Sequence, residues 1–139
     1  GENMFARHSI EYSDLESYFL VFSIWNGDTC LSWAETVEWV DLFRAVLLEQ
    51  GGPTTPVPAL VPVIGGYTFA GSASACLDDW RTYAGTLHRE SEGFVVRPPG
   101  SFIMSDFPRR VAKYVRADHV RTEQHGWRYG TYEKNLLSA

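Results

Sequence analysis

Apolar and polar positions first alternate along this chain, then recur at helical spacing, and the change of period marks out its elements. Residues 1–10 and 17–25 read as strands. Tyr18, Phe19, Leu20, Val21, Phe22, Ile24 and Trp25 are chiefly β-branched or aromatic, side chains that pack well on a pleated surface. Asn26-Gly27-Asp28 follows at once with hairpin-turn chemistry. Ser32-Trp33-Ala34-Glu35 is then a capping box, in which the serine hydroxyl and the glutamate side chain each take up a backbone N–H left over at a helix start. Val37, Val40, Phe43 and Leu47 continue it at near-helical spacing, and Gly51-Gly52-Pro53 ends it. Thr54 to Pro62 is a proline-broken connector into a short strand near Ala59–Ile64, closed by Gly65-Gly66. A second helix is expected over Ser74 to His88, with Cys76, Leu77, Trp80, Tyr83, Ala84 and Leu87 on one face. Phe94-Val95-Val96, stopped by Pro98-Pro99, and Val111 to Arg116 read as two further strands. The tail from Ala117 reads as loop plus a weak helix. Strands from distant parts of the chain interleaved with two or more helices predict an α+β class with mostly antiparallel sheet.

Size agrees with this pattern: 139 residues suit one domain, 1–139, with a moderate core. No apolar run approaches the roughly 18 residues needed to span a bilayer, so no membrane is expected. Cys30 and Cys76 lack metal-ligand spacing and read as buried free thiols, which makes the cytoplasm the default location. The formal charge of −5 conceals an asymmetry. Residues 1–92 hold 4 Lys/Arg against 13 Asp/Glu, a net of −9, whereas residues 93–139 hold 8 against 4, a net of +4. Arg97, Arg109, Arg110, Lys113, Arg116, Arg121, Arg128 and Lys134 make up the basic end. Such an end is either a phosphate-facing surface or a solvated basic strand edge, and charge alone favours the second.

Five short stretches add chemistry to the frame: Gly1-Glu2-Asn3 with Ala6-Arg7-His8-Ser9-Ile10, the aromatic run Tyr18–Trp25, Cys30-Leu31-Ser32-Trp33, Glu92-Gly93-Phe94-Val95-Val96-Arg97, and Ala112-Lys113-Tyr114-Val115-Arg116. In that order the chain resembles the nucleotidyltransferase domain of the ATP-dependent RNA ligase family, from its third signature motif to its last. The Arg-His-Ser-Ile continuation fits the third motif better than the tail of a first one. The resemblance implies a partial nucleotidyltransferase domain of the ATP-grasp-like ligase type. It also implies ATP or AMP as ligand, magnesium or manganese as metal, and RNA ends or nicks as partners in RNA repair.

Residue by residue, the resemblance implies that the Glu2 carboxylate accepts hydrogen bonds from the ribose hydroxyls, a task suited to a group with only acceptors to offer. Phe22, 20 residues later, would stack on the adenine. Glu92 would act near the α-phosphate through the divalent metal. Lys113, 21 residues after Glu92, would hold the α-phosphate as a point charge. The family's Lys-x-Lys pairing has no full counterpart, because Val111 and Val115 flank Lys113 at two-residue distance. Either one lysine suffices, or Arg110 or Arg116 shares the task. Arg7 and Arg116 are candidate contacts to phosphate or RNA, and for Arg7 a structural salt bridge is the competing assignment.

Members of the family carry an earlier Lys-x-Asp-Gly element whose lysine accepts AMP, and no such string occurs here. The chain opens at Gly1 within a recognisable element, so the expectation is a piece of a longer protein that cannot form Lys–AMP by itself. A missing N-terminal segment would leave sheet edges and apolar faces bare, implying self-association or a companion segment. Two readings follow. In one the chain is part of a ligase whose lysine comes from elsewhere; in the other it is a degenerate, non-catalytic nucleotide- or nucleic-acid-binding or partner protein.

Overall fold

The computed structural model of the chain describes residues 1–7, 10–50, 57–66, 68, 82, 92–115 and 133–138. Its strands are β1 (Glu2–Asn3), β2 (Phe19–Val21), β3 (Trp25–Asn26), β4 (Thr29–Cys30), β5 (Ala59–Leu60), β6 (Gly93–Val96), β7 (Phe102–Ile103) and β8 (Ala112–Val115). Helix α1 covers Trp33–Glu49, and a 3-10 turn at Met104–Asp106 runs into the short helix α2, Phe107–Arg110. Strand order is β1-β2-β5 in one sheet, β3-β4-β7 in a second, and β6-β8 in a two-stranded ribbon. All pairs are antiparallel except β2 with β5. The α+β class with mostly antiparallel sheet therefore holds.

Local sequence signals account for the best-formed pieces. Trp25 pairs with Cys30 and Asn26 with Thr29, leaving Gly27-Asp28 as a two-residue loop. Gly27 has φ 59° and Asp28 a negative φ, the pattern of a type II′ turn with glycine first. At the head of α1 both halves of the capping box form. The Glu35 N–H donates to Ser32 Oγ at 3.2 Å, and the Ser32 N–H and hydroxyl donate to Glu35 Oε2 at 2.9 and 2.6 Å. The Ser32 hydroxyl, and then its amide, hold the Glu35 carboxyl below its usual range. The helix stops at Glu49, with Gly51–Pro53 outside the described residues.

Of the stripe expected to face inward on α1, Val40 is buried, Val37 and Leu47 are half-buried, and Phe43 is exposed. Thr36 takes the remaining buried place, its hydroxyl donating to the Ser32 carbonyl at 2.8 Å. Trp39, Leu42 and Val46 join Phe43 on the open side, so the apolar surface of α1 is wider than the side that β5 covers. The core gathers Val21, Cys30, Val40, Ala59, Phe94 and Phe102. Cys30 is a buried free thiol, as expected; Cys76 lies outside the described residues.

Three elements differ from the sequence reading. The first two strands shrink to β1 and to β2 plus β3, because Ser17 and Ser23 turn their side chains onto local partners: Ser17 Oγ accepts the Phe19 N–H, and Ser23 Oγ accepts the Trp25 Nε1–H. Of the tail read as loop plus a weak helix, residues 133–138 are described, and they carry two isolated bridges and no helix. They run between residues 4–7 and 12–15, with bridges Ala6–Lys134 and Leu15–Leu137. The third difference is β7, which carries no alternation of its own yet completes the β3-β4 hairpin edge. The helix expected over Ser74–His88 lies outside the described residues, apart from Thr82, whose backbone is helical. No helix among the described residues is long and apolar enough to cross a membrane.

Candidate functional site

Glu2 sits on β1 opposite Leu20 of β2, and Phe22 follows two positions beyond Leu20. Strand pleating turns alternate side chains to opposite faces, so Glu2 and Leu20 share one face while Val21 enters the core on the other, and Phe22 is the first residue past β2. Both Glu2 and Phe22 are open to solvent, Phe22 at 45% exposure.

Two links tie the ends of β6 to the N-terminal part of the chain. At the far end of β6, the Arg97 guanidinium donates to the Phe22 carbonyl at 3.1 Å and to the Leu31 carbonyl at 2.9 Å, and it lies 5.6 Å over the Phe102 ring. At the near end, Glu92 directly precedes β6, and its charge reaches the phenol of Tyr12. Burial pushes the Tyr12 phenol up from 10.0, and the negative charges of Glu92 and then Glu2 add to the shift. Glu2 and Glu92, 90 residues apart in sequence, are thus brought within electrostatic reach of one hydroxyl.

The sign of that shift gives a direct measurement. Below the ordinary phenol value both folded and unfolded chains keep the Tyr12 proton, so it contributes no pH dependence there. As pH rises past 10.0 the unfolded chain ionises first, and the folded state loses stability until the folded phenol titrates too. The phenolate absorbance of the native chain minus that of Tyr12→Phe should show a midpoint above 10.0, and Glu92→Gln should move that midpoint down. A native midpoint at or below 10.0 would contradict the burial of the Tyr12 phenol, and a midpoint unmoved by Glu92→Gln would remove the influence of that carboxylate.

Lys113 lies opposite Val95 in the ribbon, and Tyr114 lies opposite Phe94, their rings 5.2 Å apart. The lysine therefore projects from the face opposite to the Phe94–Tyr114 pair, and it is exposed. Among the described residues it has no hydrogen bond or ion pair. Gly93 meets β8 so closely that its hydrogen faces the Tyr114 carbonyl. The backbone that approaches this glycine is that of β8.

Arg7 is engaged as its competing assignment held, its guanidinium 2.6 Å from Glu133 and 3.3 Å from Glu11. Arg116 and His8 lie outside the described residues. Arg97 and Lys134, both counted with the basic end, serve the fold. Arg97 binds backbone carbonyls, and the Lys134 ammonium sits 4.9 Å over the Phe5 ring. Sequence reasoning missed Tyr12 and Asn135. Asn135 is 1% exposed; its Oδ1 accepts the Tyr12 N–H at 2.9 Å and its Nδ2 donates to the Met4 carbonyl at 2.7 Å. It fixes Tyr12 against the exit of β1, and no local signal announces either partner.

Residues 1–115 of the 139 match the family whose description is RNA ligase. The chain belongs to the RNA ligase family. No curated protein and no solved structure matches it.

Proposed function

We propose that these residues form the nucleotide-holding part of an RNA-ligase adenylyltransferase domain, binding ATP or AMP for RNA end joining. In this reading the Glu2 carboxylate accepts from the ribose hydroxyls, the exposed Phe22 ring stacks on adenine, and Lys113 neutralises the α-phosphate. The observation that supports the reading is the Arg97 clamp, which ties the end of β6 to the Phe22 carbonyl, while the charges of Glu92 and Glu2 both act on the Tyr12 phenol.

Glu92 is the residue suited to a metal. Among the described residues no group of three or more His, Cys, Asp or Glu gathers into a complete protein cage. Magnesium, however, is commonly held by one or two carboxylates with phosphate oxygens and water in the remaining positions, and a single Glu92 carboxylate suits that arrangement. A magnesium ion bound there supplies charge neutralisation to a phosphoryl group. Arg7, already paired with two carboxylates, has less to offer a phosphate than Lys113 does.

Without a Lys-x-Asp-Gly lysine, these 139 residues hold nucleotide and do not become adenylylated. Incubation with radiolabelled ATP and magnesium should leave no covalent label, and a label on Lys113 would overturn the assigned roles. AMP titrated by calorimetry should bind about tenfold more weakly to Phe22→Ala than to the native chain, the loss of one stacked base. Equal affinities would remove Phe22 from the site.

A second reading is a non-catalytic nucleotide- or nucleic-acid-binding relative. Reading the gene upstream of Gly1 separates the two. An in-frame Lys-x-Asp-Gly supports the ligase, and a stop codon before a start at Met4 supports the relative. The open apolar stripe of Trp39, Leu42, Phe43 and Val46 supports a companion segment or a second copy as partner in either case.

A further inference from the structure

The cationic side chains of the described residues divide into two groups. Arg7, Arg44, Arg97 and Lys134 are each taken up inside the fold, by carboxylates, backbone carbonyls or a ring. Arg109, Arg110 and Lys113 are the described Lys and Arg residues with no ion pair, hydrogen bond or ring partner. All three are exposed and lie within five residues, at the end of α2 and in β8. Asp106 is the single carboxylate between positions 93 and 115. In a chain whose formal charge is −5, a run of three unmatched cations raises mutual repulsion that a string of phosphates relieves.

Apolar surface lies beside them. Phe107, the first residue of α2, is 41% exposed, and Met104 and Ile103 before it are open as well. The inner part of the same aromatic group anchors the helix: Phe107 packs 6.3 Å from both Trp25 and Phe102. An open ring on a fixed base, followed by unpaired cations, is the combination that holds single strands, in which bases stack and phosphates are neutralised.

We infer that α2 and the start of β8 dock the single-stranded RNA arm that brings its 5′-phosphate to the nucleotide, with Arg109 and Arg110 on backbone phosphates and Phe107 under a base. This rests on Lys113 marking the α-phosphate. The terminal phosphate must reach that point, and the strand behind it then follows the cations. Its course is toward Arg110 and Arg109, because the ribbon face around Lys113 otherwise offers Val95 and Val115.

Fluorescence anisotropy of a labelled, 5′-phosphorylated single-stranded RNA, titrated at several salt concentrations, tests this on the 139-residue chain. The double variant Arg109→Gln/Arg110→Gln should flatten the dependence of log affinity on log salt by roughly 1.4, about 0.7 for each lost phosphate contact. Phe107→Ala should weaken binding about tenfold with the slope unchanged. Arg44→Gln, which removes a charge elsewhere, should keep the native slope. A native slope in the double variant, or no RNA binding by the native chain, overturns the inference. AMP titrated in parallel separates the two proposals: RNA results that fail while AMP still binds sink this docking surface alone, and loss of AMP binding by the native chain sinks the nucleotide reading.

Discussion

Gly93→Ala is expected to cost about 3 kcal/mol of stability, with the β6-β8 ribbon opening first. A Cβ at this position falls onto the Tyr114 carbonyl oxygen, and it also comes within 2.9 Å of the Tyr114 carbonyl carbon and 3.0 Å of the Val115 Cα. These atoms are backbone, held by the register that pairs Gly93 with Val115 and Phe94 with Tyr114. No side chain can swing aside, so the strands must separate or shift. Either movement carries Glu92 with it, one residue ahead of the glycine, so AMP binding should fall along with stability. A urea melt compares the variant with the native chain. An unchanged midpoint would mean that β8 does not approach β6 as described.

Asn135→Leu should be comparably damaging, about 2–4 kcal/mol, with a different origin. The side chain is buried and joins the last described segment to the first. Its amide donates to Met4 and, more weakly, to Ala6 at 3.4 Å, while its oxygen accepts from Tyr12. Leucine has nearly the same bulk and leaves the Met4 carbonyl and the Tyr12 amide without partners, each worth roughly 1–3 kcal/mol when buried. Asn135→Asp would keep the acceptor for Tyr12, lose the donor to Met4 and bury a charge, so it should be worse than leucine. Thermal or urea unfolding gives the ranking. A leucine variant as stable as the native chain would show that residues 133–138 do not hold the N-terminal strands together.

These two positions show where sequence reasoning reaches and where it stops. The capping box at Ser32, the Gly27 turn and the Phe94–Val96 strand were legible because each signal and its partner lie within a few residues. The reason for Gly93 was not legible, since the approaching backbone is 21 residues further on at Tyr114. Asn135 was illegible because its partners are 123 and 131 residues away and the segment around it has no apolar period. Arg97 looked like part of a basic surface, and its actual carbonyl partners lie 66 and 75 residues before it. Charge composition cannot separate an arginine that clamps backbone from one that waits for phosphate. That distinction appears only when partners are assigned, which sets Arg109 and Arg110 apart from Arg7, Arg44 and Arg97. Family motifs reached further than periodicity did, because their order along the chain points to the family that matches residues 1–115.

The central claim is that Glu2, Phe22, Glu92 and Lys113 surround one adenosine monophosphate. A crystal of the 139-residue chain grown with AMP and magnesium tests it most directly. The account predicts adenine density on the Phe22 ring, ribose hydroxyls on Glu2 and the phosphate between Glu92 and Lys113. Nucleotide density on another face, or these four side chains around a site that stays empty at saturating AMP, would contradict it.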